Sequence, residues 1–248
     1  MRIALLSDIH GNLPALDAVL DDAATQNVGL IANLGDILSG PLWPAETAAR
    51  LMALDLPTIA GNHERQLLTQ APERMGPSDA HAAVRLDDAA RGWLAGLPGE
   101  HWLHAEVFAC HGSPRSDVEH LLHTVEAGRV RAASADEIAE RLGDTAAPVI
   151  VCGHTHLPAA HRTARGQLVV NPGSVGLQAY YDDHPAPYMA AAGTPHARYA
   201  VIARAADGTW SAEFRAVAYD WATAARLAAA NARPDWAEAL EKGTLPDL

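Results

Sequence analysis

The chain has 248 residues, enough to bury a sizeable core as one large domain or two small ones. Hydrophobic residues make up 49% and charged residues 19%, which excludes a disordered chain, and aromatics at 5% leave the core to Ala, Leu, Val and Ile. A net charge of −12 argues against a nucleic-acid duplex as partner, but admits a small phosphorylated substrate if local cations dominate the field where it binds.

In chain order, 2–8 reads as a short buried strand and 12–26 as a helix, with Asn12 as cap and Pro14 in its first turn. A strand over 28–36, a helix over 43–55 and a strand over 57–64 follow. This alternation implies parallel pairing through crossover helices. A helix over 84–98 and a strand over 106–114 come next. Residues 115–147 read as an insertion with a helix around 134–143, and 147–156 repeats the pattern of a strand running into a polar cluster. The pattern then changes to alternating strands at 168–174, 197–205 and 209–217, which look antiparallel. Residues 176–196 read as a long ordered surface loop, and about 220–243 as one or two helices. No repeat or linker divides the chain, so 1–248 is expected to form a single domain. The two cysteines, Cys110 and Cys152, read as small buried strand residues in a reducing compartment. No signal-peptide core and no membrane-length apolar run is present, so a cytoplasmic protein without membrane attachment is expected.

Polar clusters follow the apolar strands: Asp8 and His10 in DIH, Asp36 in GD, Asn62 and His63 in GNHE, His111 in HG, His154 and His156 in GHTH. Open α/β sheets place their sites at these strand ends. Oxygen and imidazole donors of this kind suit borderline divalent metals. Asp8 and His10 share strand parity, as do His154 and His156, so each pair is expected to converge. Seven ligands with one shared carboxylate fill four protein positions on each of two metals. Two metals about 3.5–4 Å apart suit in-line displacement at phosphorus.

These motifs, in this order and each after a predicted strand, resemble the calcineurin-like metallophosphoesterase superfamily, and HGSP and NPGS resemble its small bacterial and archaeal branch. The resemblance runs from residue 7 to about 175. It implies a four-layer α/β/β/α sandwich with two mixed β-sheets. It also implies one metal on Asp8, His10, Asp36 and His156 and a second on Asp36, Asn62, His111 and His154, Asp36 bridging. A bridging water or hydroxide would be the nucleophile, and His63 would stabilise the transferring group or protonate the leaving oxygen. Manganese or iron is the expected cofactor pair, with zinc, cobalt or nickel also compatible.

Outside the motifs, His81, His101, His104, His120, His123 and His161 read as surface or satisfied side chains. Arg115 is a candidate phosphate contact. Tyr180, Tyr181, His184 and Tyr188 form either an ordered loop over a sheet edge or a substrate rim, the loop being favoured. The function expected is dinuclear-metal hydrolysis of a phosphodiester. Alternatives are a monoesterase, a protein phosphatase or a nucleoside polyphosphate hydrolase of the diadenosine tetraphosphate type. From other classes come a scaffold protein that only binds metal and a mononuclear metal protein. The sequence does not indicate the oligomeric state.

Overall fold

The computed structural model describes residues 1–246. Strand β1 (Arg2–Leu6) pairs in parallel with β2 (Leu30–Asn33) across helix α1 (Leu13–Ala24), giving the expected crossover. The Asn12 side chain caps α1 by accepting from the Ala15 amide, and Pro14 lies in the first turn. The sheet is completed by two long antiparallel strands, β12 (Ala197–Arg204) on β1 and β13 (Trp210–Val217) outside it. The second sheet runs β3 (Glu100–His104), β4 (Val107–Cys110), β7 (Val149–Val151), β9 (Leu168–Asn171), β8 (Ala159–Arg162). It is parallel in the middle and antiparallel at both edges.

The strand period of two separates the layers. On β1, Ile3 and Leu5 join Val107, Ala109, Val149 and Val151 in the core between the sheets, while Ala4 and Leu6 pack with Leu16 and Val19 of α1. On the second sheet the alternate residues Phe108, Cys110, Ile150 and Cys152 turn to the other face, against Ile138 and Leu142 of α6 (Ala135–Leu142). The result is the four-layer α/β/β/α sandwich, with both sheets mixed. Both cysteines are buried and free, as the sequence implied.

Between the sandwich strands lie elements the sequence did not reveal. The expected strand over 57–64 shrinks to a single bridge, Asn33 to Thr58. Beyond it the Ala60 amide turns away to the Pro98 carbonyl, and α3 (Asn62–Thr69) begins at once. Helices α2 (Pro44–Leu54) and α5 (Asp88–Ala95) fall within their expected spans, with α4 (Pro77–Ala83) between α3 and α5. The 115–147 insertion holds a hairpin, β5 (His123–Glu126) and β6 (Arg129–Ala132), ahead of α6. The segment 176–196 is a second hairpin rather than a loop, β10 (Ala179–Asp182) and β11 (Tyr188–Ala191). The two hairpins join as a third, four-stranded sheet through Met189 and Arg129. Helices α7 (Trp221–Ala230) and α8 (Pro234–Lys242) close over its start, burying Trp236 and Leu240 with Leu177 and Ala179. No described helix is long and apolar enough to cross a membrane.

Candidate metal centre

Strands β1 and β7 stop at Leu6 and Val151, so Asp8, His10, His154 and His156 stand on loops beyond them, and strand parity does not explain their convergence. Backbone twist does. Asp8, His10, Asp36, His154 and His156 all have positive φ, at 55°, 51°, 54°, 70° and 59°. Left-handed backbone at a non-glycine residue costs on the order of 1–3 kcal/mol and persists only where the surroundings over-determine it. Here the loops brace one another. The Asp8 amide donates to Gly35 O at 2.9 Å, the His10 amide to Asp36 O at 3.1 Å, and the Gly153 amide to His111 O at 2.7 Å.

Two groups of ligand atoms result, each within 4.8 Å: Asp8, His10 and His156, and Asp36, His111 and His154. Their hydrogen bonding shows what they lack. His10 Nδ1 lies 2.7 Å from the Ser39 carbonyl, His156 Nδ1 2.8 Å from the Leu177 carbonyl and His111 Nδ1 2.7 Å from the Leu34 carbonyl. A carbonyl only accepts, so each Nδ1 carries a proton and each Nε2 faces inward. Yet His10 Nε2 and His156 Nε2 are 3.0 Å apart, and His111 Nε2 is 3.0 Å from Asp36 Oδ2. The inward end of the Asn62 amide lies 3.2 Å from His111 Nε2, 3.2 Å from Asp36 Oδ2 and 3.0 Å from His154 Nδ1; as NH2 it donates to these groups, and as oxygen it needs a cation among them. The His10 and His156 Nε2 atoms, with both Nδ1 protons already used, repel at 3.0 Å unless a cation, a proton or a metal ion, lies between them. The donor set of carboxylate, imidazole and amide oxygen fits a borderline divalent ion at each group.

The ionisation directions agree. Burial and neighbouring imidazoles push His10 and His154 down to about 3, which keeps them neutral. Burial would lower His111 too, but Asp36 holds it up to about 10, so a positive charge is favoured between the two, carried by a proton on Nε2 or by a metal ion in its place. Burial would raise Asp36, and the surrounding histidines, His111 first, hold it well below the ordinary carboxylate range.

His63 has another role. Its amide donates to Asp36 Oδ1 at 2.9 Å, and its ring Nδ1 lies 2.8 Å from Asp79 Oδ1. Asp79 is buried on α4 and also accepts from the Ser39 hydroxyl at 2.6 Å. The His63 side chain stays 27% exposed, so Nδ1 is held and Nε2 is left for the cavity. Burial would lower this ring, but Asp36 and Asp79 hold it up to about 9.

Other polar residues hold the loops. The fully buried Glu64 accepts from the amides of Asp36, Ile37 and Gly61, each at 2.8 Å. Gly61 must be glycine, because a Cβ there would lie 2.7 Å from the Asp36 amide nitrogen and 2.9 Å from the His111 ring. Asn171 of NPGS donates to Gly153 O at 2.6 Å, and Ser174 donates to Asp8 O at 2.8 Å.

Residues 1–191 match the family model for the calcineurin-like phosphoesterase superfamily domain. The chain belongs to that superfamily. A metallophosphoesterase from Sphaerobacter thermophilus superposes with a TM-score of 0.75 at 24% identity, covering 98% of this chain and 99% of that one. A hypothetical protein from Pyrococcus horikoshii superposes with a TM-score of 0.77 at 18% identity over 99% of both chains. These two show the fold. An uncharacterized protein of Methanocaldococcus jannaschii is 39% identical over 66 residues, which span 27% of this chain and only 27% of that relative.

Around this centre the remaining candidates divide. Arg115 is spent on Glu119 and Glu140, at 2.6 and 3.1 Å, and does not line the cavities at the centre. Tyr180 packs its ring 4.6 Å from that of His156, and Tyr181 also lines the cavity. Tyr188 is fully buried beneath them rather than at a rim, whereas His184 is exposed. His120 is closer to the centre than its sequence context implied. Its ring is 5.2 Å from His154, and its Nε2 lies 3.2 Å from the Tyr188 hydroxyl. Arg233 and Trp236 also reach the cavity, from α8 and the residue before it, beyond the span matched to the family.

Proposed function

We propose that the chain is a dinuclear-metal phosphodiesterase. One observation carries this most directly: two groups of carboxylate and imidazole side chains, one of them faced by the Asn62 amide, converge so that the ligand atoms in each lie within 4.8 Å of one another, beside a histidine that belongs to neither. Asp8, His10 and His156 would hold one ion, Asn62, His111 and His154 the other, and Asp36 would serve both. Bound divalent ions at such a pair act as Lewis acids on the phosphoryl group and ionise a water near neutral pH.

The protein's own groups supply the rest. Asp79 fixes the His63 ring, so His63 Nε2 is the donor for the departing ester oxygen. The His10 ring stands 5.3 Å from His63 and edge-on to it, which limits how the imidazole can tilt. Manganese or iron is the proposed metal, and a small phosphorylated molecule the substrate.

The test is hydrolysis of bis-p-nitrophenyl phosphate and p-nitrophenyl phosphate after chelation and manganese reconstitution. The expected result is metal-dependent cleavage that favours the diester, with kcat about 10²–10⁴-fold lower in His63→Ala. Full activity in His63→Ala, or in the chelated protein, would sink the proposal. Two bound ions without turnover of either ester would favour a scaffold role.

A further inference from the structure

Two cavities meet at the centre, and they differ in size and wall. The smaller, about 260 Å³, lies over the metal-ligand side chains and is walled by Tyr180, Arg233 and Trp236. The larger, about 810 Å³, runs from the same centre between residues 118–125 and the turn at 182–185. Asn62, His63, His154 and Asp182 line both, so the two are one continuous trough bent around His63. A phosphorus atom at the metals would have an ester arm in each direction. The second arm of the trough is within the size of ligand pockets generally, about 300–1,000 Å³.

The charge of the large arm restricts what enters it. Asp182 lines it together with Glu119, which is paired with Arg115, and Asp183, which is paired with His184, and the lining holds a single arginine, Arg141. That guanidinium is already used: it donates to the carbonyls of His120 and His123 at 2.8 and 2.9 Å and to Thr124 Oγ1 at 2.8 Å. In the small arm, Arg233 is closed by Asp235, with contacts of 3.0 and 2.6 Å. Neither arm therefore offers a free arginine or lysine to a second phosphate. Val118, Val125 and Pro185 give the large arm apolar wall, and Gln66 gives it an amide.

Resting on the phosphodiesterase reading above, we infer that the groove between residues 118–125 and 182–185 is the subsite for the larger ester arm of the substrate, an uncharged organic group up to nucleoside size. It disfavours a polyphosphate chain, whose extra charges would meet the Asp182 carboxylate and no available arginine or lysine.

The test compares kcat/KM for three p-nitrophenyl diesters, whose second arm is methyl, thymidin-5′-yl, or thymidin-5′-yl with a 3′-phosphate. The thymidine ester is expected to exceed the methyl ester and the 3′-phosphorylated ester, each by about tenfold. Val118→Trp fills the groove from an exposed position, 50% accessible, and should lower the thymidine-to-methyl ratio by about tenfold, because the methyl ester can set its small arm there. Gln66→Ala should lower the same ratio with less steric change. An unchanged ratio in both variants, or a preference for the 3′-phosphorylated ester, overturns the subsite while leaving the phosphodiesterase reading intact. No metal-dependent turnover of any ester by the wild type overturns both.

Discussion

Glu64 holds the two sequence motifs at the centre in one geometry. Its carboxylate is the acceptor for three amides from the GD loop and the start of α3, with no exposure to water. In Glu64→Gln, the amide turns a donor toward at least one of these N–H groups. A loss of about 1–3 kcal/mol is expected, the cost of a buried unsatisfied pair, measured by urea unfolding. No change in the unfolding midpoint would contradict this role. The candidate ligands and His63 were legible from the sequence because each sits in a short motif after an apolar strand. Asp79, Glu64 and Asn171 were not legible in their roles. Asp79 meets His63 only because α4 folds back over the site, and no local pattern marks that contact. The parity argument reached Asp8 with His10, which left-handed loops and not strand ends bring together, but failed for His154 and His156, which fall in separate groups.

At the scale of elements, α1 is pinned to the sheet it covers by Asp22. The Tyr199 hydroxyl of β12 donates to it at 2.6 Å, and Arg215 of β13 reaches both its oxygens at 3.2 and 3.1 Å. Burial alone would raise the Asp22 pKa, but these donors outweigh it and hold the group below its ordinary value. A carboxyl depressed in the folded state stabilises that state above the unfolded pKa, about 3.9, and the contribution disappears as pH falls through the folded value. Asp22→Asn should therefore lower Tm at pH 7, and the gap to wild type should narrow as pH drops below about 4. A gap that stays constant over this range would mean that packing, not charge, fixes the helix. The hidden elements are short. Each strand of the two hairpins is four residues long, and β5, β6 and β10 each leave at least one side chain exposed, so neither a long apolar run nor a clean alternation marks them. Pro185 and Pro187 lie between β10 and β11 and made the hairpin resemble a loop.

For the whole molecule, the two-sheet sandwich brings together loops that start as far apart in sequence as Asp8 and His156, and their ligand atoms then lie within 4.8 Å. A chain carrying a net charge of −12 gains most from cations placed where its buried donors converge. The measurement that tests this most directly is metal content by elemental analysis, after chelation and reloading with manganese, in the wild type and in Asn62→Ala. Two ions per chain in the wild type and one in Asn62→Ala are predicted, since only the Asp36, His111 and His154 group loses a ligand. One ion in both proteins, or none that survives desalting, would contradict the dinuclear centre.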